Sequence, residues 1–182
     1  MTRNYRFDSR SEEEFKKDIK NHTMSERTLF FMWLDLIEKE TGKRPKFRDT
    51  GCGNDGKFLA DDKVNTDPDF TVEGYGEIEV KFSKPLIATY FHLKTNQVKN
   101  YCRRRATILM INGAGEDVPM FTILRPEALD AIIRDCKAIG FKGFGWKPAY
   151  RILVSRFLWR PLKSNTEGPE QGNPSRSTSF NF

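Results

Sequence analysis

Apolar residues recur at helical spacing between residues 24 and 41. They form one stripe along the predicted helix: Leu29, Phe30, Trp33, Leu34 and Ile37. Gly42 follows the stripe and is a good stop, because glycine readily adopts the left-handed backbone that ends many helices. The charged segment 11–17 predicts a separate, solvent-exposed helix. Residues 1–22 are therefore expected to form a charged N-terminal arm ahead of a buried helix.

Short apolar or alternating segments bounded by turn residues predict the strands. Segments of this kind are 69–72, 76–82, 106–111, 119–124 and 150–154. The turn-like Glu73-Gly74-Tyr75 joins the first two segments into a hairpin.

Two further helices are predicted among the strands. One begins near Thr95, and the other covers residues 126–139, with Pro126 in its first turn and Gly140 at its end. Glycine-rich residues 140–148 are expected to form a mobile loop.

Helices and strands alternate along the chain in an order that favours an α/β or α+β domain. This domain is expected to cover residues 23–163. From residue 164 onward Ser, Asn, Gly and Pro predominate, so 164–182 are expected to form a disordered tail.

Length and composition exclude several classes of protein. A chain of 182 residues suits one domain with a sizeable core. The longest apolar run, 29–34, ends at Asp35, and the charged N-terminus has no apolar segment, so neither a membrane partner nor a signal peptide is expected. Three dispersed cysteines are typical of a reducing, cytoplasmic compartment: Cys52, Cys102 and Cys136.

Histidine is scarce, which narrows the possible chemistry. His22 and His92 are the only two in the chain, so a two-histidine metal helix and a Ser-His-Asp triad are poorly supported. A metal would have to be held by carboxylates, which favour a hard cation such as Mg²⁺ or Mn²⁺. No small-molecule cofactor is expected.

The segment 76–82 carries the candidate chemistry. Side chains alternate along a strand, so Glu77, Glu79 and Lys81 share one face. If residues 73–75 form the turn, Asp69 stands opposite Glu79 on the neighbouring strand. Two facing carboxylates repel each other, and a divalent cation between them would relieve this repulsion.

A carboxylate pair with a nearby lysine suits phosphodiester hydrolysis. A bound metal lowers the pKa of water and neutralises charge in the transition state. The lysine would orient the water, deprotonate it or stabilise the developing charge. The alternative is an ordinary one-sided strand, since charged and apolar residues alternate in any such strand.

Pro68-Asp69 and, ten residues after Asp69, Glu79-Val80-Lys81 resemble the motif of the PD-(D/E)xK nuclease superfamily. This superfamily includes many restriction enzymes and the archaeal and phage Holliday junction resolvases. The resemblance covers about residues 24–125. It implies a restriction-endonuclease-like α/β core, in which helices flank a mixed central β-sheet.

The resemblance also implies a mechanism. Asp69 and Glu79 would bind Mg²⁺, with Mn²⁺ able to substitute, and the Val80 carbonyl would be a further metal ligand. Lys81 would activate the water that attacks DNA.

The same resemblance suggests further catalytic residues on the two flanking helices. Glu26 extends the core-facing stripe and is the candidate upstream acid, with Glu14 as a weaker choice; alternatively Thr23–Glu26 form a capping box. Gln97 matches a residue on the helix after the lysine, or is simply exposed. Glu77 either supports the metal ligands or binds a second metal, or it is a solvent-facing strand residue.

Positive charge is concentrated in three parts of the chain, at residues 43–48, 94–105 and 137–163. The net charge is +6, and residues 137–163 contain seven Lys or Arg and no Asp or Glu, interleaved with aromatic residues. Such surfaces bind phosphates, and aromatic side chains stack on unpaired bases, although many aromatic residues simply belong to cores. DNA contacts are expected from Lys43, Arg44, Lys94, Lys99, Arg103, Arg104, Arg105, Lys142 and Lys147.

The leading hypothesis is a Mg²⁺-dependent DNA endonuclease acting on branched or duplex DNA. A small catalytic domain without a visible specificity domain fits a structure-selective, Holliday junction resolvase-like enzyme, which would act as a homodimer because a junction needs two symmetric cuts. Restriction, repair and exonuclease roles stay open. So do a non-catalytic nucleic-acid-binding module on the same fold and an RNA-processing nuclease.

Overall fold

Strand β5, Thr107–Asn112, lies at the centre of the molecule, and all six of its residues are buried. Continuous burial is typical of a strand that is covered on both faces. The computed structural model describes residues 12–51 and 67–162, with side chains described from Glu26 onward.

Five other strands complete a mixed central sheet around β5. Strand β3, Gly76–Ser83, lies parallel to β5, while β6, Met120–Leu124, is antiparallel to it. All other pairs in this sheet are antiparallel. Its order is β1-β2-β3-β5-β6-β9, where β1 is Phe47–Asp49, β2 is Phe70–Val72 and β9 is Arg160–Pro161.

Helix α1, Glu12–Thr41, covers one face of the central sheet. Phe30 stacks on Phe70 of β2, with ring centroids 3.7 Å apart, and Trp33 meets the ring of Tyr75 edge-on. Burying such side chains contributes about 1.5–3 kcal/mol each. These contacts hold the β2–β3 hairpin against the helix.

The other face of the sheet packs against two shorter helices and a second sheet. Helix α2 is Thr95–Arg104 and α3 is Pro126–Asp135. The second sheet has the antiparallel order β4-β8-β7, comprising β4 Tyr90–Lys94, β8 Lys147–Leu153 and β7 Ala138–Phe141. The molecule is thus a mixed α/β structure with helices on both faces of a mixed central sheet, as predicted at this level.

Several predicted elements are confirmed. The apolar stripe of α1 is buried, and Gly42 ends the helix with φ +73° and donates its N–H to the Glu38 carbonyl at 2.8 Å. Pro126 begins α3. The four strands predicted between residues 69 and 124 lie within one residue of β2, β3, β5 and β6.

The prediction of two N-terminal helices is wrong. One continuous helix runs from Glu12 to Thr41, because no Gly or Pro interrupts this segment. It crosses the predicted limit of the arm at residue 22, and the domain limits stay predictions.

The prediction for residues 126–148 is partly wrong. Helix α3 ends at Asp135, and residues 138–141 form β7 instead of continuing the helix. The predicted loop 140–148 contains the end of β7, a 3₁₀ turn at Lys142–Phe144 and the start of β8. Pairing between β7 and β8 outweighs the local helical pattern.

Some predictions lie outside the described residues. These concern the tail 164–182, Cys52 and the side chain of Glu14. Within the described part of the chain, no helix combines the length and apolar character needed to cross a membrane.

Candidate active site

The β2–β3 hairpin has the register that the sequence predicts. Val72 pairs with Gly76 and Phe70 pairs with Ile78, so residues 73–75 form the turn. Asp69 immediately precedes β2, and continuing the register places it opposite Glu79. Local turn chemistry and strand alternation were sufficient to predict this pairing.

The two faces of β3 differ as predicted. Ile78 and Val80 are buried in the core beneath α1. Glu77 and Glu79 bond instead to side chains of α2 on the opposite face. The polar face of β3 is therefore partly covered by α2: Glu79 is buried, while the Glu77 and Lys81 side chains keep some contact with solvent.

Asp69 is linked directly to β3. Its Oδ2 accepts a 2.8 Å hydrogen bond from the Val80 N–H. The pKa of this carboxyl is raised from its ordinary 3.8 to about 7, first by burial and then by the negative charges of Glu79 and Glu26. The Val80 hydrogen bond and the Lys81 charge oppose the rise without cancelling it.

Glu79 is 5% exposed and shares one oxygen between two donors. Its Oε1 accepts a 2.6 Å hydrogen bond from the Tyr101 hydroxyl and pairs with the Lys81 ammonium. A buried carboxylate requires such partners, because burying an unpaired charge is costly. Burial and the Glu79 charge raise the pKa of Tyr101, so its hydroxyl keeps its proton and donates.

Lys81 retains its positive charge in this site. Burial works against the ammonium form, but the neighbouring carboxylates, led by Glu79, raise the net pKa of Lys81 above its ordinary 10.5. Of the three roles open to this lysine, orienting water and stabilising negative charge fit an ammonium. Deprotonating the water requires a neutral amine, which this environment disfavours.

Glu26 reaches the site electrostatically from α1. Its charge contributes to the raised pKa values of Asp69 and Lys81. The alternative role in a capping box is wrong, because the helix begins at Glu12 and Glu26 lies in its interior. The structure therefore brings the predicted upstream acid toward the hairpin carboxylates.

The donor set suits a divalent cation by charge. Glu79 and Glu26 act electrostatically on Asp69, and all three carboxyl groups act on Lys81, so acidic groups outnumber this ammonium. Among the described side chains, no three His, Cys, Asp or Glu already converge as a complete ligand group. A preformed three-ligand cage is thus not seen in this part of the chain, and metal binding by Asp69, Glu79 and the Val80 carbonyl stays a prediction.

Helix α2 contributes two residues on one face. Gln97, a predicted site residue, is half-buried and lies one helical turn before Tyr101, so both side chains project in similar directions. Tyr101 was not predicted as a site residue, because its helical spacing with Val98 is equally typical of a core position.

Glu77 is held by Arg104 of α2. The guanidinium donates to both carboxylate oxygens, at 3.0 and 2.6 Å, and also to Asp67 at 2.7 Å. These bonds from the Arg104 guanidinium connect α2 to Glu77 of β3 and to Asp67, two residues before Asp69. Glu77 is thus neither a free metal ligand nor a simple solvent-facing residue.

The predicted DNA-contacting cations divide into two groups. In one group acidic residues offset the positive charge: Lys43 with Glu73, Arg44 with Asp35 and Glu38, Arg104 with Glu77 and Asp67, and Arg105 with Glu127. In the other group Arg103 donates to the Asn100 amide oxygen, Lys94 lies over the Phe144 ring, and Lys99, Lys142 and Lys147 are exposed. Contact with DNA stays a prediction for all of them.

Comparison of the chain with known protein families, with curated proteins and with solved structures found no match.

Proposed function

We propose that the protein is a Mg²⁺-dependent DNA endonuclease with a restriction-endonuclease-like fold. The observation that carries this proposal is the convergence of Asp69, Glu79 and Lys81 on the β2–β3 hairpin, with the pKa of Asp69 raised to about 7. Strongly perturbed carboxylates beside a lysine are characteristic of functional sites. The mixed sheet with flanking helices and the motif Pro68-Asp69…Glu79-Val80-Lys81 support the same assignment.

Asp69, Glu79 and the Val80 carbonyl would hold the metal. When bound, the cation supplies a Lewis acid that neutralises phosphate charge and lowers the pKa of water. Lys81, as an ammonium, orients the attacking water and stabilises negative charge on the phosphate. Burial beneath α1 and α2 limits solvent around these groups and strengthens each electrostatic interaction.

Tyr101 and Gln97 support the reaction from α2. The Tyr101 hydroxyl fixes one oxygen of Glu79, so the carboxylate keeps one orientation. Gln97, one turn away, faces the scissile phosphate. Glu26 adds negative charge that increases the affinity for a cation.

The substrate is proposed to be branched or duplex DNA, cut by a homodimer if the enzyme is a junction resolvase. Comparing cleavage of a four-way junction with cleavage of its linear arms tests this part. Equal rates would count against a resolvase and favour a general or restriction-type nuclease.

The central test is cleavage by purified protein in Mg²⁺ or Mn²⁺, with EDTA as the inhibitor. Duplex DNA, single-stranded DNA, a four-way junction and a matched RNA should be assayed in parallel. Asp69→Asn, Glu79→Gln and Lys81→Ala should each abolish cleavage. Lys84→Ala is the matched control, because Lys84 is exposed and follows the same strand.

If wild type and Lys81→Ala are equally inert on every substrate, the catalytic proposal is wrong. Salt-dependent binding without any Mg²⁺ heat in calorimetry would then identify a non-catalytic nucleic-acid-binding module. Preferential cleavage of the RNA would identify an RNA-processing nuclease.

A further inference from the structure

Trp146 is the most exposed of the three tryptophans in the chain. Its side chain lies at the tip of the β7–β8 hairpin with 69% of the residue accessible, whereas Trp33 is 1% exposed and Trp159 is partly buried. Exposure of so large an aromatic surface brings no benefit to folding. A binding role is one reason to keep it exposed.

The backbone holds Trp146 in a conformation that residues other than glycine rarely adopt. Its φ is +63°, directly after Gly145 at +62°. The Trp146 N–H donates to the Phe141 carbonyl at 3.0 Å, and the ring passes close to the main chain of Gly140. Strain of this kind persists where surrounding structure enforces it, and it is concentrated at functional positions. The backbone at the hairpin tip therefore fixes where the exposed indole is attached.

The charged residues in the segment around Trp146 are all cations. Residues 137–162 contain six Lys or Arg and no Asp or Glu. Lys142 and Lys147 flank the tip and are both exposed. Unlike the arginines of α2, these lysines lie in a segment that supplies no acid to neutralise them, so they suit a polyanion.

Lys94 lies between this basic tip and the helix that carries Gln97 and Tyr101, because it immediately precedes α2. Lys94 of β4 pairs in register with Ala149 of β8, and its ammonium lies 5.1 Å from the centre of the Phe144 ring. The pKa of Lys94 is lowered, first by burial and then by the positive charges of Lys147 and Lys81. Lys94 therefore lies within electrostatic reach of both the hairpin tip and the catalytic lysine.

We propose that Trp146 stacks on an unpaired nucleobase of the substrate while Lys94, Lys142 and Lys147 bind the adjacent phosphates. The substrate class is DNA that carries unpaired nucleotides beside the cleavage site, as at a branch point, flap or frayed end. This inference rests on the proposed function, because it takes the nucleic acid to be the substrate of the Lys81 site. In an intact duplex the bases are already stacked on one another and present no free face to the indole.

Binding in EDTA tests the inference without requiring catalysis. Trp146 fluorescence should be quenched by a 12-nucleotide oligo(dT) at low salt and much less by a blunt 12-base-pair duplex. Trp146→Ala should weaken oligo(dT) binding about 5- to 150-fold, the range expected for one lost stacking contact, and leave duplex binding unchanged. Trp146→Phe should restore most of the affinity, because phenylalanine still stacks.

Leu158→Ala is the matched control, since Leu158 is an apolar residue in the same basic segment with 92% exposure. It should bind as wild type does. Trp33 and Trp159 remain in the Trp146 variants and report whether the fold is intact.

Any of three binding results would overturn the inference: wild-type affinity of Trp146→Ala for oligo(dT), an equal loss on single strand and duplex, or no oligo(dT) binding by the wild type. Metal-dependent cleavage of a substrate with unpaired nucleotides that is unaffected by Trp146→Ala would leave the proposed nuclease intact while removing the stacking role. If the protein binds oligo(dT) through Trp146 but cleaves none of the substrates, the stacking role would stand and the proposed nuclease activity would be wrong.

Discussion

The Tyr101 hydroxyl donates a 2.6 Å hydrogen bond to Glu79 Oε1 in the buried space between α2 and β3. The two residues are separated by 22 positions and lie on different elements. The same oxygen also pairs with Lys81, so one carboxylate oxygen connects the helix, the strand and the candidate catalytic lysine.

Tyr101→Phe should weaken Mg²⁺ binding and cleavage about 10- to 100-fold, because the orientation of Glu79 is lost while the packed ring is kept. Calorimetry and cleavage rates measure the two effects. Tyr150→Phe is the control, since Tyr150 is equally buried in the same core. Equal behaviour of the two variants would show that the hydrogen bond has no positioning role.

Asp69 should make the metal-free protein less stable as the pH rises. Its pKa is about 7 in the folded protein and ordinarily 3.8, so between these values the folded state binds more protons than the unfolded state. Stability therefore falls with pH across this window, by about 1.4 kcal/mol per pH unit at most, and is lowest above pH 7. Saturating Mg²⁺ should restore stability at pH 8 and have little effect at pH 5.

Asp69→Asn removes this titration and keeps an oxygen for the Val80 N–H. In EDTA the variant should melt several degrees higher than wild type at pH 8, and the difference should shrink toward pH 4. Glu73→Gln, at an exposed carboxylate in the hairpin turn, should show neither effect. A lower melting temperature for Asp69→Asn at pH 8 would contradict the raised pKa.

Arg104 should position the hairpin through its ion pairs with Glu77 and Asp67. Arg104→Ala breaks the fork to Glu77 and Asp67, and should lower Tm by about 2–4 °C, corresponding to roughly 1 kcal/mol for a partly exposed network. The turnover rate should fall with little change in KM. Arg104→Lys should not rescue it, because an ammonium cannot reproduce the fork.

Arg134→Ala is the control for Arg104, because Arg134 is an exposed arginine on α3 that pairs with Asp135 and is not among the predicted DNA contacts. If Arg104 binds phosphate instead, Arg104→Ala would change DNA binding and not the turnover rate. Affinity for DNA would fall uniformly and the salt dependence would become shallower by about one unit, without a change in turnover.

Asn112 should be a major contributor to stability at the end of β5. It is 3% exposed, and its amide accepts from the Ile87 N–H at 2.7 Å and donates to the Ile87 carbonyl at 2.9 Å. Asn112→Ala would leave these buried groups unpaired and should cost about 1–3 kcal/mol in urea unfolding. Ser83→Ala removes the 3.1 Å bond to Asn112 and a 3.0 Å bond to the Pro85 carbonyl but leaves both Ile87 groups paired, so it should cost less. A change below about 0.5 kcal/mol in Asn112→Ala would show that water replaces the amide.

Parts of the fold that depend on neighbouring residues in the chain were predictable. The stripe of α1 follows from helical periodicity, and the hairpin register follows from the turn at 73–75 and the alternation along β3. Strands β4 and β7 were missed because they become recognisable as strands only when paired with β8. The same pairing converted the end of a predicted helix into strand.

The candidate site likewise has features that could be predicted from the sequence and features that could not. The shared hairpin of Asp69, Glu79 and Lys81 could be predicted, because strand geometry relates residues that are close along the chain. The bond from Tyr101 to Glu79, the pairing of Arg104 with Glu77 and the raised pKa of Asp69 could not, because they arise from the packing of α1 and α2 around the hairpin. Burial and long-range pairing depend on which elements pack together, a free energy summed over the whole fold that no local pattern contains.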